Sequence, residues 1–238
     1  MPVQCAEPAA PADPETGFVT FGVLRTEGPE AAAEVITVLT AEVREWVRYT
    51  PGFISSRVHI SADGATVINR GEWTSEAAYR TSFRENPAGA VLHGLGSRPG
   101  VIGASVFSGV PAEGFTGPEA SAEPGVVMVA TRHLDGHESA RALLELLSRS
   151  GQWKREFPGF ISVTPYLGRD GTTFVSYPMW VNEAAYRSWT EDPRISEGQQ
   201  EVARLEVAPP EYVLCTVAAQ VDAAPRDPGA AVGAGGVG

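Results

Sequence analysis

Lysine, cysteine, basic charge and long apolar runs are all scarce in this chain. Lys154 is the single lysine beside 17 arginines, a bias we attribute to coding composition rather than to a physical adaptation. Cys5 and Cys215 are the only cysteines, one in an Ala/Pro-rich N-terminal stretch and the other in a predicted strand. A disulfide framework is therefore not expected, and a reducing cytoplasm is. A net charge of −11 over 238 residues leaves no concentrated basic face, which argues against a nucleic-acid partner and against attraction to anionic lipid. No apolar run approaches the ~18 residues of a membrane span, and Met1–Gly17 has neither the basic start nor the apolar core of a secretory signal. His133 and His137 straddle a predicted strand-to-helix loop, so helical metal-ligand spacing does not apply and no metal site is expected. No phosphate-cradling glycine loop or dinucleotide fingerprint is present.

What the chain does have is an internal repeat. Pro51-Gly52-Phe53-Ile54-Ser55 recurs as Pro158-Gly159-Phe160-Ile161-Ser162, an offset of 158 − 51 = 107. At the same offset Trp46 meets Trp153, Asp63-Gly64 meets Asp170-Gly171, and Trp73 meets Trp180. Glu76-Ala77-Ala78-Tyr79-Arg80 likewise meets Glu183-Ala184-Ala185-Tyr186-Arg187. A fixed offset across separated blocks is the mark of a duplication.

Each copy carries the same element signals. Val19 to Arg25 and Val126 to Arg132 are β-rich apolar runs and predict first strands. Helical spacing of Val35, Ile36, Leu39, Val43, Trp46 and Val47 predicts a helix over about 29–49, and its counterpart over about 139–157. Trp46 and Trp153 are then assigned to apolar, core-facing sides. Pro-Gly breaks the chain, and Asp-Gly between apolar runs predicts a hairpin, 53–60 with 66–73 in the first copy. A second helix starts after Ser75 and stops before Asn86-Pro87; its partner stops before Asp192-Pro193. Residues 101–106 and 212–221 predict the closing strands.

The order β-α-β-β-α-β is the ferredoxin-like arrangement, an α+β fold whose antiparallel sheet has helices on one face and an apolar second face. Two such modules in one chain are expected to close on each other as an intrachain α+β barrel. The expected organisation is a disordered arm at 1–17, module 1 at 18–108, a flexible Gly/Pro-rich linker at 109–124, module 2 at 125–221 and a disordered tail at 222–238. The barrel makes the chain a monomeric pseudo-dimer, or a homodimer of such barrels.

The Pro-Gly-Phe after the first helix and the strand ending in Trp before Ser-Glu-Ala-Ala-Tyr resemble the antibiotic-biosynthesis monooxygenases, dimeric α+β barrels among which tandem fusions occur. The resemblance covers about 18–108 and 125–221. It implies oxidation of a polycyclic aromatic polyketide, a phenol or anthrone, by O2 without metal or flavin. Two alternatives stay open: ring cleavage of an angucycline-type substrate assisted by reduced flavin from a separate reductase, and a non-catalytic binding or assembly module of the same pathway. Family members place an Asn, a Trp four residues later and a Tyr six beyond that around the pocket. Copy 1 matches with Asn69, Trp73 and Tyr79, whereas copy 2 keeps Trp180 and Tyr186 but has Ser176 at the Asn position. The resemblance therefore makes copy 1 the catalytic copy and copy 2 its structural partner. A haem-degrading relative would carry His ten residues after the strand Trp, where this chain has Phe83 and Thr190.

The chemistry of these side chains fits that implication. Ground-state O2 reacts poorly with closed-shell molecules, so a site without a cofactor must turn its substrate into an electron-rich anion and hold it in a dry pocket. Asn69 offers an amide donor, Trp73 a flat face and an N–H, and Tyr79 a hydroxyl. His93, in the segment where relatives place a pocket Arg or His, is the candidate base, completing a catalytic set of Asn69, Trp73, Tyr79 and His93. His59, Phe83, Trp180 and Tyr186 are assigned to the substrate-binding wall.

Overall fold

The structure is a computed structural model in which residues 17–225 are described. Expectations for 1–16 and 226–238, Cys5 among them, lie outside the described residues. The elements are β1 (Phe18–Thr26), α1 (Pro29–Glu45), β2 (Phe53–Ser61), β3 (Thr66–Trp73), α2 (Glu76–Glu85), α3 (Ala88–Gly94), β4 (Val101–Pro111) and β5 (Phe115–Thr116), then β6 (Val126–Leu134), α4 (His137–Ser150), β7 (Phe160–Gly168), β8 (Thr173–Trp180), α5 (Glu183–Thr190), α6 (Arg194–Ala203) and β9 (Glu206–Asp222). The expected ferredoxin-like order is present in both copies, with α3 and α6 added after the second helix. These two helices start just past Asn86-Pro87 and Asp192-Pro193, where a proline in the first turn permits a new helix as readily as it ends the old one.

Both long helices stop short of their sequence-predicted ends. The backbone after α1 and α4 tightens into short 3₁₀ turns at Val47–Tyr49 and Gln152–Glu156. Val35, Leu39 and Val43 form the buried stripe of α1. Trp46 falls beyond that stripe and is 41% exposed, so it is not the core residue expected. Ser75 Oγ accepts the Ala78 N–H to cap α2, and the Asn182 side chain accepts the Ala185 N–H to cap α5.

Two repeated motifs turn out to be one contact. Gly52 and Gly159 adopt φ of +85° and +80°, which an L side chain resists. A Cβ on either would stand 2.4 Å from the Cβ of Ala78 or of Ala185. The Pro-Gly-Phe turn thus lies directly against the second alanine of Glu-Ala-Ala-Tyr, and the Thr74 N–H donates to the Gly52 carbonyl at 2.8 Å.

The strands follow the order β4-β1-β3-β2-β9-β6-β8-β7, all pairings antiparallel, and β4 pairs with β7 to close the ring. The result is one eight-stranded barrel made of two four-stranded halves, with β5 extending the sheet along β7. The expected flexible linker is thus partly ordered: β4 runs on to Pro111, and Phe115–Thr116 pairs with Val163 and Ser162. The start of the expected tail is also held, because the N–H groups of Ala223 and Ala224 donate to the carbonyls of Ile54 and Arg48.

Register shows one gap in the repeat. Phe18 pairs with Trp73 and Val126 with Trp180, so the first strands correspond at 126 − 18 = 108 while the hairpins keep 107. Copy 2 therefore has one residue fewer between its first strand and its Trp.

Alternation divides every strand between two environments. Val19, Phe21, Ile68, Val127, Val129, Val175, Tyr166, Tyr177 and Cys215 fill the barrel interior. Residues of the opposite parity face the helices. In copy 1 they join α1, α2 and α3 in one continuous core, whereas in copy 2 the corresponding core is split into two clusters.

Candidate functional site

The residues expected in the copy 1 pocket do share the helix-facing side of β3, but they are packed on one another. Trp73 is 3% exposed and lies 5.2 Å from Phe53, 5.5 Å from Tyr79 and 6.4 Å from Phe83, centroid to centroid. Phe83 also lies 4.7 Å from Tyr79 and 5.1 Å from the exposed His93 of α3. Asn69 accepts the Ser56 hydroxyl at 2.6 Å through its carbonyl oxygen, which turns the amide NH₂ the other way. Burial pushes the Tyr79 hydroxyl above its ordinary pKa.

His59 lies on the opposite face of the sheet, inside the barrel, fully buried. Its Nδ1 lies 3.1 Å from the Ile68 carbonyl and its Nε2 2.7 Å from the Tyr177 hydroxyl. Burial, reinforced by the charges of Arg70 and Arg57, lowers its pKa to about 4. Its neighbours Arg70 and Tyr166 form a buried network with the partly exposed Glu72, in which the Arg70 Nε–H donates to the Tyr166 hydroxyl at 3.0 Å. This is a satisfied barrel-core cluster, and it places His59 away from any wall between sheet and helices.

In copy 2 a cavity of about 660 Å³ opens between the sheet and α4–α6, where the two core clusters part. Of the residues assigned to the substrate wall, Tyr186 lines it, and so does Ser176, the counterpart of Asn69. Trp180 is buried just behind, 5.4 Å from Trp189 and 5.0 Å from Phe160. Trp153, assigned by sequence to a helix core, lies in the 3₁₀ turn after α4 and forms part of the cavity wall. It stacks on Trp189 at 6.2 Å and 27°.

One difference between the copies opens space here, and three others change what lines it. Phe83, wedged against Trp73 in copy 1, corresponds at offset 107 to Thr190 on the cavity lining. Ser82, buried in copy 1, corresponds to Trp189, whose indole Nε1 is buried without a protein acceptor. Val47, in the copy 1 core, corresponds to Lys154, and Leu24, matched by strand register, corresponds to Arg132.

These substitutions bring charge into an otherwise apolar wall. Arg132 pairs with Glu206 of β9 and donates to the Tyr212 hydroxyl at 3.0 Å. The Lys154 ammonium lies 3.9 Å from the centroid of the Trp189 ring and 5.8 Å from that of Phe160. Among the described residues it makes no ion pair. The surrounding protein, then the charge of Arg132, lowers its pKa to about 7. An amine so placed can bind as a cation or act as a base near neutrality. Lys154, Arg132, Trp189, Glu206 and Tyr212 are absent from the sequence-based site. The signal that finds them is disagreement between the copies at matched positions, which the identities that reveal the repeat do not carry.

Residues 124–201, which contain much of this cavity wall, match the family model "antibiotic biosynthesis monooxygenase". Tetracenomycin-F1 monooxygenase of Streptomyces glaucescens is 38% identical over 60 residues, 25% of this chain and 50% of that relative, so the match spans about half of the relative's length. The solved structure of an anthrone oxidase-like protein superposes with a TM-score of 0.73 at 17% identity, over 87% of this chain and 94% of its own. A ferredoxin-fold protein of Listeria monocytogenes 4b F2365, described as related to antibiotic biosynthesis monooxygenases, superposes with a TM-score of 0.51 at 14% identity, over 86% and 96%. Both likenesses are of fold. No helix among the described residues is long and apolar enough to cross a membrane. The second copy of the duplicated ferredoxin-like module is thus the part of the chain that is similar to the antibiotic biosynthesis monooxygenases.

Proposed function

We propose that the chain is a monooxygenase that oxidises a polycyclic aromatic phenol or anthrone with O2, and that the substrate occupies the copy 2 cavity. The observation that carries this reading is the cavity itself. At about 660 Å³ it has the size of a small-molecule site, and Trp153, Trp189, Tyr186 and Tyr212 provide flat walls for a fused-ring ligand. Much of its wall also falls within the segment that the family model matches. The name of the tetracenomycin F1 relative supports an aromatic polyketide as the substrate class.

The substrate enters against the tryptophan wall, where water is displaced and polar groups act at low dielectric. Tyr186 and Ser176 supply donors toward its oxygens. We propose that O2 reacts there with the electron-rich ring without a bound metal or flavin. This reading moves the chemistry from copy 1, where the resemblance put it, to copy 2.

The test is O2 consumption by the purified full chain with tetracenomycin F1 and with a simple anthrone, in chelator-treated, flavin-free buffer. Turnover under these conditions supports the reading. Turnover only with reduced flavin and a reductase transfers it to the flavin-assisted alternative. Binding without turnover in either condition leaves a binding module.

A further inference from the structure

We infer that Lys154 is the base of the copy 2 cavity: its amine takes the proton of a phenolic or enolic hydroxyl, and the ligand is held as its anion beside the resulting ammonium. This rests on the reading of the cavity as an aromatic-ligand site and adds to it the charge state of the ligand and the group that sets it.

The geometry supports the assignment from three sides. Lys154 is half-buried and faces the cavity at the position where copy 1 keeps a core valine, Val47. A charged side chain at such a place costs stability unless a partner or a function offsets the cost. Among the described residues there is no partner. The other cations around the cavity are matched within the protein: Arg132 pairs with Glu206, and Arg194 pairs with Asp192. Among the described residues, Glu113 of the connector and the hydroxyls of Tyr186 and Tyr212 complete the titratable groups of the wall. Lys154 is thus a cation with an aromatic face beneath it and no counter-ion, and an oxyanion in the cavity provides the missing charge.

The proton inventory closes. A neutral Lys154 accepts H⁺ from the ligand O–H; the O–H bond breaks, an N–H bond forms, and no electron leaves the pair. Before the transfer the site holds an amine whose protonation is opposed by burial and by Arg132, with a pKa of about 7, so both forms exist near neutral pH. Afterwards the ammonium faces a phenolate in a low-dielectric space, and the Trp189 face stabilises it further. The anion is the electron-rich species that reaction with O2 requires.

The experiment uses the full chain and chrysazin, a dihydroxyanthraquinone that is yellow when neutral and red when ionised. Binding is read from quenching of tryptophan fluorescence, and ionisation from the visible spectrum at a pH where free dye is yellow. The expected result is quenching with a red bound spectrum. Lys154→Met should quench within several-fold of the same concentration while the dye stays yellow. Because Lys154 is the only lysine, ¹⁵N-lysine labelling gives a single side-chain signal in the unaltered protein. That signal should titrate near pH 7 and move to the ammonium position when dye binds. Quenching with a yellow bound dye, a red dye on Lys154→Met, or a lysine signal indifferent to the dye would each overturn the inference while leaving the cavity reading in place. No quenching in the wild-type chain would overturn both.

Discussion

His59 of the first repeat and Tyr177 of the second meet across the barrel interior, Nε2 to hydroxyl, at 2.7 Å. The Ile68 carbonyl can only accept a hydrogen bond, so Nδ1 carries the hydrogen and, in the neutral ring, Nε2 accepts from Tyr177, whose hydroxyl is pushed up to about 12 by burial. Burial, rather than the choice of partners, keeps this imidazole neutral.

This contact sets an acid limit on the fold. The folded pKa of His59 is about 4 against an ordinary 6.5, so between these values the unfolded chain binds more protons and stability falls as pH falls. Below about pH 4 the loss is complete. Arg57, Arg70 and Glu72 are the charges facing the ring, and the two arginines oppose its protonation. His59→Gln keeps a hydrogen-bonding side chain that does not titrate. Denaturant midpoints measured from pH 7 to 4 should fall more shallowly in the variant than in the wild type; parallel slopes would count against the burial of a neutral His59.

The turn glycines should be irreplaceable in both copies. Gly52→Ala and Gly159→Ala each combine a positive φ with a Cβ placed 2.4 Å from an alanine methyl. The loss should exceed about 2 kcal/mol in each case, the sum of a left-handed backbone cost and overpacking. Pairing Gly52→Ala with Ala78→Gly should recover the overpacking part alone, which a double-mutant cycle on unfolding free energies measures.

Lys154 should carry a stability cost with its own pH window. Its folded pKa of about 7 lies below the ordinary 10.5, so the unfolded chain binds more protons in between and stability rises with pH across that range. Below about pH 7 the cost is fully present. Lys154→Met should therefore be more stable than the wild type at pH 6, by a margin that shrinks toward pH 10. Equal margins at both pH values would show that the amine is solvated.

The two candidate pockets can be separated by two substitutions. Trp189→Leu removes the ring that touches Lys154, Trp153, Trp180 and Tyr186, and should weaken chrysazin binding by about 10-fold or more. Asn69→Ala should change it by less than about 2-fold while leaving the unfolding midpoint close to that of the wild type. The reverse pattern would return the site to copy 1.

Much of the fold could be read from the chain because it was written twice. The Gly and Ala of separate motifs recur together since they form one contact, and the Asp-Gly turns recur because Gly64 and Gly171 both need a φ of +71°. The site was less legible. Asn69, Trp73 and Tyr79 share a face, as alternation predicts, but alternation does not say whether the space above that face is filled. Phe83 fills it in copy 1 and Thr190 opens it in copy 2, and volume differences of this kind emerge only when the helices are in place. Lys154 lay in a segment whose helical period suggested a continued helix, and the 3₁₀ turn instead rotates it onto the cavity.

The barrel closes along two unequal seams. One runs from Ser55 opposite Asp222 to Ser61 opposite Cys215, and the other is confined to Gly109–Pro111 opposite Gly168–Tyr166. The chain crosses between modules at the shorter one, where the connector leaves β4 and immediately lies down along β7 as β5. Mechanically, the long seam is a hinge and the short seam a latch, and the covalent crossing works as a strap across that latch. Phe115, on the strap, also forms part of the cavity wall, so the segment that ties the latch is the same one that bounds the cavity.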